Sequence, residues 1–422
     1  MSGCGDVSPA AIIVDPFSGN PLITAASFDA FGALRVSNPQ TIFDSKQVFD
    51  ADLLNWFHVP TAGGTLTYTQ QRSSTILAVT GAGGDAAVRQ TKRYFNYQPG
   101  KGIRVDLTFV LRTGIATITK EVGFNDLSNG IFLQQIGNQL NIVRRSDVSG
   151  GVVDEVVPQV DWDDSFDGHG PSGVDLNPTM AQVMRIDAEW LGTGPARVGF
   201  EVPGKGFIYA HTFKNTNLLP SVYMRTPNLP VRFAITGTSA GAASTFEAIC
   251  CTVVSEGGQQ VLGNTFAADR GITARAVTNA ALLPLIAIRL RGPGSTLPAT
   301  LPNLRRTVQL LNFTIASLAA ADTSLYRLLL NPTRGAGTAP IWVAADALSS
   351  VEYDITSTQA LTGGYEIDAG YAQGRNTFAG AATSQARPGA DYAGTVADEL
   401  VLAAQAQTGT NNLVAAAQWV EL

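Results

Sequence analysis

The chain has 422 residues, 45% of them hydrophobic and 15% charged, with a formal net charge of −6. One hydrophobic core rarely serves more than roughly 250–300 residues, so two or three cores are expected. The acidic balance argues against an extended nucleic-acid face, and no run approaches the ~18 consecutive apolar residues of a membrane helix.

Residues 1 to 60 read as an extended arm. Pro9, Pro16, Pro21, Pro39 and Pro60 punctuate it, and only short apolar runs such as Ala11 to Val14 lie between them. A proline-spaced arm is poorly suited to folding alone, so it is expected to lie along its own domain or a neighbouring subunit. The opening Met1-Ser2-Gly3-Cys4-Gly5 has neither the basic nor the apolar region of a secretion signal.

Residues 61–258 are continuously β in pattern. Val105, Leu107, Phe109 and Leu111 alternate with Arg104, Asp106, Thr108 and Val110. Ile131–Ile136 and Leu140–Val143 flank Gly137-Asn138, a two-residue hairpin turn. The plainest signal runs from Met184 to Phe213, three strands in succession. Met184, Ile186, Ala188 and Trp190 alternate with Arg185, Asp187 and Glu189, and Ala196, Val198, Phe200 and Val202 with Arg197, Gly199 and Glu201. Phe207, Tyr209, His211 and Phe213 are then expected to share one face, because strand side chains alternate. Val231–Ile235 and Phe246–Val254 complete the set. Many strands with frequent turn signals and no helical period indicate a large lectin-like β-sandwich or jelly roll.

Gly257-Gly258 marks a boundary, and residues 259–422 predict a second, smaller β-sandwich. Its strands are expected at Leu285–Leu290, Arg306–Ile315, Tyr326–Leu330, Ile341–Val343, Val351–Ile355 and Tyr365–Tyr371. Ala316–Leu325 and Val396–Gln407 fit either a helical turn or a strand.

The chemistry available is sparse. Cys4, Cys250 and Cys251 have no disulfide spacing, and the adjacent pair reads as small apolar side chains of a protein matured in a reducing compartment. Lys92-Arg93, Arg144-Arg145 and Arg305-Arg306 read as solvated strand ends or interface contacts. His58, His169 and His211 are the only histidines, and His211 reads as a packed or rim residue. No nucleophile elbow, P-loop or dinucleotide fingerprint occurs in a suitable context. Asp163, Ser165, Asp167 and Gly168 reproduce half a calcium-loop spacing, but Val174 stands where the closing Glu belongs. The alternative is a polar turn whose Asp side chains accept from backbone N–H groups. Asp187 and Glu189, two residues apart on one strand face, are the available pair for glycoside hydrolysis, with a solvated strand face as the simpler reading. Trp56, Trp162 and Trp342 could stack on sugar rings or serve as core anchors.

Several motifs together resemble a type of virion structural protein found in tailed bacteriophages and related viruses. They are Asp167-Gly168-His169-Gly170-Pro171-Ser172-Gly173, Glu189-Trp190-Leu191-Gly192-Thr193-Gly194 and Thr226-Pro227-Asn228-Leu229-Pro230-Val231-Arg232. Phe31–Ser37 with Phe43-Asp44, Arg93-Tyr94 with Tyr97–Lys101, Ser350–Asp354 with Thr362–Gly364, and Trp419-Val420-Glu421 extend the resemblance. It implies a non-enzymatic particle component, a capsid decoration, minor capsid protein or fibre or tail part, assembled in the bacterial host cytoplasm. Other virion proteins and copies of itself, by analogy a trimer, are its expected partners, with no nucleic acid and no membrane. A glycan-binding adhesin for a host surface glycan is the alternative, and a glycan-cleaving enzyme on the same scaffold a third. No catalytic, cofactor-binding or metal-ligating residue is assigned, and no cofactor is expected.

Overall fold

The computed structural model describes residues 38–292, 306–318, 323–373, 377–381 and 387–422. Residues 1–37, with Ala11–Val14 and the Phe31–Ser37 motif, lie outside the described residues, as does Arg305. The chain is all-β. Among the described residues every strand pairing is antiparallel, and the helical content is two 3-10 turns, Gln70–Arg72 and Gln159–Asp161. No helix there is long and apolar enough to cross a membrane. Two compact units result. One runs to Thr91 and resumes at Tyr97–Gln259; the other holds Lys92–Asn96 and the chain from Gln260.

In the first unit, strands in chain order are β1 Pro39–Ser45, β2 Trp56–Thr61, β3 Thr65–Thr69, β4 Ser74–Val79 and β5 Ala86–Thr91. Next come β6 Gly102–Val110, β7 Ile118–Asn125, β8 Gly130–Ile136, β9 Gln139–Ser146 and β10 Val153–Pro158. The last are β11 Gln182–Ala188, β12 Ala196–Val202, β13 Gly206–Phe213, β14 Val231–Gly237 and β15 Ser244–Glu256. They form an eight-stranded sheet, β13-β12-β11-β6-β15-β4-β3 with β1 also on β15, and a seven-stranded sheet, β10-β9-β8-β7-β14-β5-β2. Phe233 of one sheet meets Phe246 of the other at 6.0 Å between ring centroids, so the apolar faces pack against each other. Phe109, Leu107, Val122, Leu133, Met184, Ile186 and Phe200 fill the space between them, none with any exposed surface beyond 1%.

The expected arm is corrected from residue 38 onward, because β1 and β2 are integral strands. Their prolines sit where a missing N–H costs a sheet little: Pro39 opens β1, and Pro60 lies in β2, the edge of its sheet.

A second correction concerns β13. The register pairs His211 with Val198 but Tyr209 with Gly199, leaving Ala210 as the extra residue of a bulge. A bulge reverses the side-chain alternation beyond it. Phe207 and Tyr209 therefore face outward, whereas His211 and Phe213 turn in, and the four aromatic positions do not share one face. Gly199 makes this possible, since a Cβ there would lie 2.3 Å from the Ile208 carbonyl.

The second unit comprises β16 Asn264–Asp269, β17 Arg275–Thr278, β18 Leu283–Leu290, β19 Val308–Ser317, β20 Thr323–Leu330, β21 Thr333–Arg334 and β22 Val343–Ala344. It continues with β23 Val351–Asp354, β24 Leu361–Thr362, β25 Tyr365–Gln373, β26 Thr377–Ala381, β27 Leu400–Ala406 and β28 Thr410–Glu421. A sheet β16-β28-β19-β26, with β17 on β28, faces a sheet β22-β23-β18-β27-β20-β25. Phe313 on β19 meets Tyr326 on β20 at 5.6 Å, within a core that also holds Trp419, Leu285, Ile288 and Leu402. Neither ambiguous Ala/Leu-rich stretch is helical where described: Ala316-Ser317 end β19, Thr323–Leu325 open β20 and Leu400–Ala406 form β27, with the remaining described residues in bends and loops.

Candidate functional site

The outer face of the eight-stranded sheet gathers the most chemistry. On β6, β11 and β12 the apolar alternates Val105, Leu107, Met184, Ile186, Val198 and Phe200 point into the core. Their polar neighbours must point out. The register sets Arg185 opposite Asp106, and Asp187 between Arg104 and Arg197. Arg185 grips Asp106 through two bonds, Nε at 2.6 Å and Nη2 at 3.2 Å. Arg104 lies 3.3 Å from Asp106 and 2.8 Å from Glu256. Arg197 pairs with Asp187, which also accepts a 2.9 Å hydrogen bond from the Tyr209 hydroxyl. The bulge of β13 completes the face, placing the Arg185 guanidinium 4.4 Å over the Phe207 ring and that of Arg197 4.1 Å over Tyr209.

Asp187 has no exposed surface although it points away from the core. Burying a carboxylate is tolerable only when it is paired and hydrogen-bonded, and here two partners meet that need. Such lattices seldom add stability over apolar residues of the same size. What this one does supply is a cross-strand row of planar donors and acceptors on the outer sheet face, in which the side chains of Arg104, Asp106, Arg185 and Arg197 keep 22%, 19%, 20% and 11% of their surface exposed.

Glu189 continues the same face just beyond β11 and is also buried. Its Oε1 lies 3.1 Å from where a Cβ on Gly102 would stand, so the glycine in β6 makes room for it. Its charge adds to burial in raising the Tyr97 phenol above the usual range, with burial the larger cause. Thus the two carboxylates considered for glycoside hydrolysis do share a face.

The acidic loop is a polar turn. Asp163 accepts from the Thr212 N–H at 2.8 Å, Asp164 from the N–H and hydroxyl of Ser172 at 3.0 Å, and Asp167 from the His169 N–H at 2.9 Å. Among the described residues no group of three or more His, Cys, Asp or Glu side chains could hold a metal ion. The other candidates are dispersed. Trp56 and Trp162 are buried anchors, the latter stacked on Phe200 at 6.3 Å, and Trp342 is half-buried under Arg289 at 4.1 Å. His211 packs edge-on against Phe213 at 5.0 Å. Cys250 faces out and Cys251 in, as adjacent strand residues should. The rings that do reach an outer face, Phe207 and Tyr209, were hidden in the sequence by the small residue Ala210, which carries no mark of a bulge.

No family model and no curated protein matches the sequence. Similar solved structures include a beta-glucanase from Bacillus licheniformis, 9% identical at a TM-score of 0.33 and covering 50% of this chain and 96% of its own. A glycoside hydrolase family 16 endo-glucanase from Bacteroides ovatus is 11% identical at 0.33, covering 50% and 99%. The potassium-bound carbohydrate recognition domain of Emp46p is 10% identical at 0.28, covering 50% and 94%. Likeness this distant carries no residue, substrate or activity across. It corrects one expectation, that the chain is not an enzyme, because glycan-cleaving enzymes stand among the structures it is similar to.

Proposed function

We propose that the first unit is a glycan-recognition module whose contact surface is the outer face of its eight-stranded sheet. The observation that carries this reading is the pinned row Arg185, Asp106, Arg104, Asp187, Arg197 and Tyr209, beside the Phe207 ring. Sugar hydroxyls call for several donors and acceptors at once, and aromatic rings offer an apolar surface to the sugar's C–H faces. Groups already held by one another lose little rotamer freedom on binding, which favours affinity. Binding to a glycan array is the test. Arg185→Ala should weaken any affinity found at least roughly tenfold, the loss of one charge-assisted contact. Equal affinity in the variant contradicts the assignment.

Cleavage of the bound glycan is a second reading: Asp187 and Glu189 lie on one sheet face, and cleavage would require both, 0% and 4% exposed here, to open to the sugar. Glycosidases work with two carboxyls flanking the scissile bond. A fall in polymer viscosity that disappears in Glu189→Gln supports it; inertness of the wild type on every glycan it binds contradicts it.

The motif order supports a further proposal about location, display on a virion surface beside other virion proteins, in several copies. The motifs themselves have structural roles: Asp167–Gly173 is the self-capped loop, and Leu191 and Gly192, at φ +34° and +85°, turn the chain between β11 and β12. Absence of the protein from the mass-spectrometric inventory of purified particles would contradict this proposal and leave glycan recognition untouched.

A further inference from the structure

We propose that His58 and Arg89 form an acid-released latch on the loop joining β1 to β2. Arg89 on β5 is fully buried, with its guanidinium 4.2 Å over the Trp56 ring. Its Nη1 donates to the Ala51 carbonyl of the loop at 2.8 Å and contacts Nε2 of His58 on β2. Its Nε and Nη2 find no hydrogen-bond partner among the described residues. One edge of the guanidinium therefore holds both the loop and the imidazole.

The loop is strained at two positions and mixes charged with exposed apolar side chains. Gln47 and Asp52 adopt φ +48° and +54°, a left-handed region that strains a residue with a Cβ. The Gln47 amide anchors one end by donating to the Ala248 and Ile249 carbonyls at 3.1 and 2.6 Å, and the Asp52 carbonyl accepts from Asn55 and Trp56 at the other. Between these anchors the loop shows solvent Val48, Phe49, Leu53 and Leu54, with Phe49 85% exposed. Exposed apolar clusters of this kind mark contact surfaces.

The latch depends on the Nε2 lone pair. Only a neutral imidazole can accept there; a proton would set donor against donor and put a second cation beside a buried guanidinium. The other charged or titratable groups facing Arg89 are Asp50 and Asp52 of the loop and Cys251 of β15. Burial first, and Arg89 second, hold the folded His58 at about 4, against an ordinary value of 6.5. The open or unfolded chain thus binds the proton more tightly, so closure is favoured above about 6.5 and is lost as the pH falls toward about 4. Across that window the opening constant should rise about tenfold per pH unit.

Amide hydrogen exchange of the full chain between pH 7 and pH 3.5, corrected for the intrinsic rate, tests this. Residues 47–55 should lose protection on acidification while β6 and β11 keep theirs. His58→Gln, whose Oε1 accepts from Arg89 at every pH, should keep the loop protected. A loop as protected at pH 3.5 as at pH 7, or one that opens equally in His58→Gln, overturns the latch. Should that variant fail to fold, the wild-type His58 ring and Trp56 indole resonances should titrate with one midpoint. A Trp56 signal indifferent to His58 overturns it as well.

Discussion

Asp187→Ala should destabilise the first unit by about 3–5 kcal/mol, the usual cost of removing one partner from a buried ion pair. The loss takes from the Arg197 guanidinium and the Tyr209 hydroxyl the buried carboxylate on which both converge. Urea denaturation followed by a probe of the first unit measures it. Asp187→Ala combined with Arg197→Met should regain most of the stability, since the double change leaves no unpaired charge. A single-variant loss below about 1 kcal/mol would mean that Asp187 is solvated, as an exposed pair would be, and that the lattice is not preorganised.

Trp419→Ala should cost the second unit a similar ~3–5 kcal/mol, the range for deleting a large buried aromatic. Trp419 is fully buried on β28, which pairs with β16, β17 and β19. Its indole also donates at 3.1 Å to Glu421, a buried carboxylate that accepts from the Ser350 N–H at 2.8 Å. The variant therefore opens a cavity and removes one of the donors on which a buried charge relies. The unfolding transition of the second unit should move to lower temperature while that of the first stays in place. An equal shift in both would contradict separate cores.

The fold was legible where alternation was strict and turns were marked by Gly and Pro. Ala196–Val202 is strand β12 residue for residue, and Gly137-Asn138 does join β8 to β9. Three things escaped. β1 and β2 were hidden among prolines, because a proline tolerated at a strand start or a sheet edge looks in sequence like one that forbids a strand. The bulge at Ala210 was silent, since nothing in the local pattern says that one residue is looped out of the ladder. The site itself depends on cross-strand pairing. Arg104, Asp106, Arg185, Asp187 and Arg197 are visible as the polar halves of three alternating strands, but their convergence follows from β6 and β11 being neighbours. Residues some 80 apart in sequence meet there, and periodicity alone cannot predict that. Asp187 and Glu189 could be singled out because they stand two residues apart in one alternating run.

Hydrogen exchange of the full chain, with and without an oligosaccharide chosen from the array, tests glycan recognition most directly. Bound sugar should protect β6, β11, β12 and β13, with little change in the seven-stranded sheet or the second unit. Protection confined to those other regions, or an array in which no glycan binds, would contradict it.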